Sequence, residues 1–148
     1  MKTFRLQSVL DYRKRNEEMS QKSLLLCLEN QKILNAKMEK GRMELQKLHR
    51  ALDETKRQGA ALQEIMLYED CILSKKRQLR VIDRELQMIC ADAEQKRQVL
   101  FQARQEKRAL EILKENRDEE EKRNRKHREN IYFDEVAIIG FGDKNERI

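Results

Sequence analysis

The stretch Leu79–Ala103, LRVIDRELQMICADAEQKRQVLFQA, decides the fold because its apolar residues recur at alternating steps of three and four. Lys96 is the one interruption in that row. The other positions of the row are Leu79, Ile82, Leu86, Ile89, Ala93, Leu100 and Ala103. A period of 3.5 residues keeps one apolar stripe on one side of an α-helix, and such a stripe packs against another helix. The stretch is therefore one half of a coiled coil.

The composition excludes an ordinary globular domain. Charged residues make up 41% of the 148 residues and aromatic residues only 5%, whereas ordinary domains contain about 25% charged residues. So few large apolar side chains cannot build a thick core. Because the chain also lacks proline and keeps a regular apolar stripe, it favours long helices over disorder.

The charge pattern does not indicate a nucleic-acid partner. The net charge is +6, but the 33 basic residues are interleaved with 27 acidic ones and form no basic patch. The basic stretches also lack aromatic residues that could stack on bases. We therefore expect no binding to nucleic acid.

The cysteines and the apolar runs set the expected compartment. Cys27, Cys71 and Cys90 lie far apart with no neighbouring histidine, so we expect no metal site and reduced thiols. No apolar run approaches the roughly 18 residues of a membrane span, and the opening residues do not form a secretory signal. These features predict a cytosolic protein.

The first half of the chain carries a second row with the same steps. Its members are Leu6, Leu10, Arg13, Glu17, Ser20, Leu24, Cys27, Gln31, Leu34, Met38, Gly41, Leu45, Leu48 and Leu52. The row is polar at its third to fifth positions. Gly41 costs a helix about 1 kcal/mol relative to alanine, which marks a soft or closely approached point.

The two rows predict an all-α fold, in which two long helices form an antiparallel coiled-coil hairpin and the second helix is the longer one. Gly59 can end a helix, so we place helix 1 at 4–57, a turn at 58–61 and helix 2 at 62–139, within a single domain over 1–148. A homodimer of one straight helix would use the same stripes, but the break and the near-equal arms favour the hairpin. The expected core is Leu24, Leu34, Leu45, Leu48, Leu52, Leu79, Ile82, Leu86, Ile89 and Leu100.

Residues beyond Asp118 have no partner on helix 1 in this register. An acidic run at 118–121 and a basic run at 122–128 precede the densest apolar cluster of the chain, at 131–139. Such a cluster on an unpaired helix predicts a docking surface, although it could also fold back onto the start of helix 1. Gly140 is expected to close the helix and to leave a frayed tail at 140–148.

No residues are arranged for catalysis. The sequence has no glycine-rich phosphate loop, no HExxH motif and no plausible nucleophile set, and His49 and His127 stand alone among charged neighbours. We therefore expect no enzyme activity, no catalytic residue and no cofactor.

The two ends of the sequence carry recognisable segments, FRLQSVLDYR at 4–13 and ENIYFDEVA at 129–137. The first is similar to the start, and the second to the C-terminal segment, of the flagellar export protein family FliJ. The length of the chain and the glycine–alanine turn followed by a tyrosine fit as well. The resemblance covers essentially the whole chain.

The resemblance implies a stalk component of the flagellar type III protein export apparatus, a system tied to flagellum biogenesis and chemotaxis. The open end of such a hairpin is expected in the pore of the hexameric export ATPase, and the rest reaches toward the membrane export gate and meets export chaperones. The implied location is cytoplasmic, peripheral to the inner face of the cell membrane at the flagellar base. By itself the protein is expected to be a monomer.

The resemblance also implies contact residues. For the ATPase ring they are Phe4, Leu6, Val9, Leu10, Phe133, Asp134, Glu135, Val136 and Ala137, with the residues of the two ends side by side. For the export gate, the chain departs from the family, since Cys71, Lys75 and Gln78 stand where bulky apolar residues are expected, and only Tyr68 and Ile72 stay as candidates. The tail from Ile138 to Gly142 is more apolar than the family pattern.

Two other readings stay open from the sequence. One is the equivalent stalk of a virulence-type secretion system, which has the same architecture. The other is a self-associating structural coiled coil, whose helical signal would fall on dilution, whereas that of a hairpin would not.

Overall fold

The computed structural model describes residues 3–146 and consists of two α-helices, α1 (Gln7–Arg57) and α2 (Leu62–Glu146). They contain 51 and 85 residues, and no strand occurs in the described range. The predicted all-α class with a longer second helix is confirmed. Contacts divide the chain into a central unit, Asn16–Ala103, and a terminal unit that combines residues up to Arg15 with those from Arg104 onward.

The turn between the helices is built on Gly59, whose φ of 70° is the one positive value in residues 3–146. Its N–H donates to the Lys56 carbonyl at 3.3 Å, and the Ala60 N–H donates to the Thr55 carbonyl at 3.3 Å. This pair of hydrogen bonds is the Schellman arrangement, which satisfies the last carbonyls of a helix and favours glycine at the left-handed position. Gly59 therefore explains why α1 ends at Arg57, two residues before it.

In the central unit, the two helices run antiparallel along the predicted row. Cys27 near the start of this unit lies by Ile89 of α2, with its Sγ 3.8 Å from the Ile89 carbonyl oxygen, and Glu44, farther along α1, pairs with Lys75. Contacts that move forward along α1 thus move backward along α2. Seven side chains are almost completely buried in this seam: Cys27, Met38, Leu52, Ile72, Ala93, Leu100 and Ala103.

The predicted core residues all lie on the row that faces the other helix. Leu52 and Leu100 are buried. The other eight are half-buried, as expected for two helices with no third layer: Leu24, Leu34, Leu45, Leu48, Leu79, Ile82, Leu86 and Ile89. Since the seam is the main apolar surface removed from water here, it supplies most of the stability of this unit.

Gly41 lies directly against the Leu79 side chain of α2 in the central unit. Gly41 is buried, and a Cβ added to it would clash with Cδ2 of Leu79. The Leu79 side chain therefore fills the space that any larger residue at position 41 would need. This explains why the row accepts a helix-weakening glycine at this position.

The terminal unit has a more polar seam. Leu10 is 1% exposed, but the pairing around it is carried by side chains such as Arg13, whose guanidinium lies 2.5 Å from the Glu106 carboxylate. Lys114 donates to the Gln7 side-chain carbonyl at 2.9 Å. Arg117 donates to the Thr3 carbonyl at 3.0 Å.

The helix ends differ from the predicted ones. α1 begins at Gln7 and not at Phe4, because residues 5 and 6 form a turn in which the Gln7 N–H donates to the Phe4 carbonyl at 3.0 Å. α2 continues to Glu146, through Gly140 and Gly142, so the predicted closure at Gly140 is wrong within the described range. Glycine lowers helix stability without forbidding the helix, and neither residue takes a positive φ. Residues 147 and 148 of the predicted tail lie outside the described part.

Candidate functional site

The candidate site is the C-terminal extension, which we define as residues 118–146 of α2. Every residue of this extension is exposed, so no other part of the described chain covers it. Its helix is supported locally, since Arg123 lies 3.7 Å from Glu119 and, just before, Arg117 lies 3.2 Å from Glu121. Such pairs four residues apart stabilise a helix that has no packing partner, by about 0.3–0.5 kcal/mol each.

The extension carries an apolar cluster that no described residue buries. Its exposed members are Ile131, Tyr132, Phe133, Val136, Ile138, Ile139 and Phe141. The rings of Tyr132 and Phe133 meet edge to face, with centroids 6.1 Å apart. The alternative in which this cluster folds back onto the start of α1 is not what the structure shows. Because exposed apolar surfaces of this kind are often interaction sites, the cluster is the candidate binding surface.

The predicted ring-contact residues of α1 do not lie beside those of α2. Phe4 is half-buried, with the Arg117 guanidinium 5.8 Å from its ring centroid. Phe133 is sixteen residues farther along α2 than Arg117, which corresponds to about 24 Å along a helix. The side-by-side placement is therefore wrong, because α2 continues as a helix beyond its partner and never turns back.

The N-terminal contact residues also differ in how accessible they are. Leu6 and Val9 are 38% and 39% exposed, so both offer surface to a partner. Leu10 is 1% exposed and belongs to the interior of the terminal unit. A side chain so fully buried has no area left for contact with a ring.

The two predicted gate residues belong to the seam. Ile72 is 6% exposed and Tyr68 is half-buried, so little of the Ile72 side chain and only part of Tyr68 are accessible to a partner. Both continue the three-four steps of α2 backwards from Leu79 through Lys75, which turns them toward α1. The exposed apolar residues that follow the turn are Leu62, Met66, Leu67 and Leu73, and their positions off the row indicate in the sequence that they face away from α1.

The electrostatics of the central unit stabilise the hairpin and do not prepare a reacting group. A hydrogen bond from Lys75 lowers the pKa of the Glu44 carboxyl, and one from Lys96 lowers the pKa of Asp92. Burial, followed by the nearby Asp92 charge, raises the pKa of the Cys27 thiol. A thiol kept in its neutral form is a poor nucleophile, so Cys27 serves as a small core residue.

Neither a metal site nor a membrane span is visible in the described chain. Across residues 3–146, no three or more histidine, cysteine or acidic side chains gather as a metal ion requires. In the same range, neither helix contains a stretch that is both long and apolar enough to cross a bilayer.

These features define a class of protein: a two-helix coiled-coil hairpin whose longer helix extends beyond its partner and presents an apolar surface. The sequence matches the family described as flagellar FliJ protein over residues 1–146, and the chain belongs to that family. Comparison with curated proteins and with solved structures gave no match. The family is a non-catalytic component of flagellar type III protein export.

Proposed function

We propose that the protein is the stalk that couples the hexameric export ATPase of the flagellar apparatus to the membrane export gate and to export chaperones. One observation carries this proposal: an apolar cluster stands on a helix that no other part of the described chain covers. A stalk needs a stiff paired rod and a free end that binds. The proposed location is the cytoplasmic face of the membrane at the flagellar base.

The ring contact is assigned to the exposed end of α2. Phe133 and Val136, at 65% and 48% exposure, lie within the cluster next to Asp134, Glu135 and Ala137. Aromatic and aliphatic anchors that become buried at an interface carry most of its binding energy, whereas rim carboxylates mainly affect orientation and the rate of association. Phe133 and Val136 are therefore the proposed anchors.

The start of α1 has a secondary role in this proposal. Leu6 and Val9 are accessible, and the half-buried Phe4 ring is covered by Arg117. These residues lie opposite the part of α2 near Arg117, so they would meet a different level of the ring from Phe133. We assign them a weaker contact than the cluster.

Three polar positions of the α1 row, Arg13, Glu17 and Ser20, follow the start of α1. We propose that weak pairing there lets the end of the hairpin adjust its shape to the ring. Arg13 pairs with Glu106 where an apolar seam would bury a leucine, and exposed ion pairs contribute only about 0.2–1 kcal/mol. Glu17 and Ser20 continue the polar stretch in the central unit. Leucine at all three positions should stiffen the pairing, and unchanged ATPase stimulation by that variant would count against this role.

The gate contact is assigned to the exposed apolar residues after the turn in place of Tyr68 and Ile72. Leu62 and Leu67 are 72% and 65% exposed, and Met66 and Leu73 are close to half exposed. These side chains are available without opening the seam. The contact with export chaperones has no assigned residues.

The test is stimulation of ATP hydrolysis by a hexameric export ATPase. Val136→Asp places a charge in the cluster. We expect it to raise the concentration needed for half-maximal stimulation at least about tenfold, because the loss of one apolar anchor weakens binding by about that factor. Phe133→Ala should act in the same direction. The matched control is Ile112→Asp, since Ile112 is 42% exposed on α2 but lies outside the cluster. Equal stimulation by Val136→Asp and Ile112→Asp would contradict the proposal.

A further inference from the structure

A second row with coiled-coil spacing lies on α1 in the central unit, one residue before the seam positions from Glu17 to Leu34, so it borders the seam and its members Asn16 and Ser23 are half-buried. This outer row consists of Asn16, Met19, Ser23, Leu26, Asn30 and Ile33, again at steps of three and four. None of the six is charged, in a chain of which 41% is charged. Met19, Leu26 and Ile33 are 68%, 63% and 54% exposed. The seam row uses other residues, so α2 leaves these three apolar side chains uncovered.

The spacing indicates that the occupant is a helix. A row with a 3.5-residue period stays in line only with another helix that runs beside it. Large apolar and small polar residues alternate along the row. When two copies of the row run antiparallel, Met19 faces Asn30, Leu26 faces Ser23 and Ile33 faces Asn16. Each layer then holds one large and one small side chain, which gives an even volume along the interface.

The charges beside the row point to a second copy of this chain. Lys22 and Glu29 flank the outer row, one heptad apart, on the side away from α2, and both are exposed. In the antiparallel arrangement, Lys22 of each copy lies opposite Glu29 of the other, so two attractive pairs form at once. A parallel arrangement would not bring these two positions together. Charge pairs at such flanking positions set the partner and the orientation of coiled coils.

We propose that two copies of this chain associate side by side through the outer row, with their α1 helices antiparallel. This departs from the expectation that the protein is a monomer by itself, and it is independent of the proposed ATPase contact, because no residue of the outer row is assigned to that contact. The row spans eighteen residues, about 26 Å of helix, and three of its six positions are polar. A coiled coil this short is only marginally stable, so we expect a dissociation constant of the dimer on the order of 100 µM.

The first test is sedimentation equilibrium of the full chain over about 5–500 µM. The average mass should rise toward that of a dimer. Leu26→Glu should raise the dissociation constant at least about tenfold, because it replaces an apolar layer in both halves of the interface. The control Arg84→Glu changes one exposed charge on α2 and should leave the dissociation constant unchanged. A constant monomer mass for the natural sequence would overturn the proposal, as would equal association of Leu26→Glu.

The second test asks whether the pairing is antiparallel. Lys22→Glu places four carboxylates at the flanks of its own dimer, and Glu29→Lys places four lysines there, so each variant alone should associate at least about fivefold more weakly. Mixed in equal amounts, the two variants restore both opposite-charge pairs and should associate as the natural chain does. Circular dichroism of each variant verifies that the hairpin is intact. A mixture that associates no better than its components would refute the antiparallel register.

Discussion

The seam of the central unit and the C-terminal extension are both helical, but the helix has a different physical basis in each. In the seam, residues such as Ile72 and Leu100 are about 6% exposed and are held by the opposite helix. In the extension, every side chain is exposed, and local charge pairs support the helix. The comparison separates stability from binding: the seam fixes the hairpin, and the extension is left free for another molecule.

The largest expected effect comes from a charge placed in the seam. Leu100→Asp should lower the free energy of unfolding by about 3–5 kcal/mol, because it removes apolar burial and leaves a carboxylate without a partner. The measurement is urea unfolding followed by circular dichroism. The neighbour Phe101 is 62% exposed, so Phe101→Asp should change the free energy of unfolding by less than about 0.5 kcal/mol. Similar losses for both variants would contradict the assigned seam.

A second prediction concerns the contact between Gly41 and Leu79 in the seam. Gly41→Leu should destabilise the hairpin by about 1–3 kcal/mol, since the added side chain occupies the space of Leu79. Leu79→Ala in the same chain should recover part of that loss, because it reopens the space. Unfolding of the four chains of this double-mutant cycle gives the coupling between the two positions. Strictly additive effects would show that the two residues do not meet.

The polar seam of the terminal unit should respond more weakly. Arg13→Ala removes the ion pair with Glu106, and both side chains are about one-third exposed. We expect a loss of about 0.2–1 kcal/mol that shrinks in high salt. Thermal melting at low and at high salt measures it. If Arg13→Ala lowered the free energy of unfolding as much as Leu100→Asp, the ion pair would contribute more than a partly exposed pair is expected to contribute.

Acid should weaken the central unit through its carboxylates. Lys75 lowers the pKa of Glu44 below its ordinary value of 4.5, so the folded state favours the charged form. The stabilisation is complete above that value and is lost as the pH falls through the lowered pKa of the folded state. Melting temperatures between about pH 6 and pH 2 follow this loss. In Glu44→Gln the melting temperature should decrease less on acidification. If it decreases as much as in the natural chain, the acid sensitivity comes from other groups such as Asp92.

The smallest effect on stability is expected in the extension. Ile138 is 72% exposed, so Ile138→Ser should change the free energy of unfolding by less than about 0.5 kcal/mol. The measurement is again urea unfolding, with Leu100→Asp as the sensitive reference. A clear loss of stability would show that the cluster is packed against another part of the chain in solution.

The sequence predicted the hairpin well because the fold depends on one repeating feature. The three-four rows and Gly59 defined the helix pair, the turn and the buried positions. The helix ends were harder, since Gly140 favours termination only weakly and the surrounding residues favour helix. The site was predicted in part. The exposed cluster at 131–139 was found from composition, but the distance from Phe4 to Phe133 depends on whether α2 turns back. For the gate contact, the sequence could name Tyr68 and Ile72 but could not show how little of the Ile72 side chain the seam leaves exposed.

Backbone hydrogen exchange, measured by mass spectrometry with and without the hexameric export ATPase, tests the central claim most directly. In the protein alone, amides of residues 16–57 and 62–103 should exchange slowly, and those of 118–146 should exchange fast, because only the first two segments are held by packing. Added ATPase should slow exchange chiefly around Phe133 and Val136. Slow exchange of the extension in the protein alone, or ATPase-induced protection confined to the seam, would contradict the account.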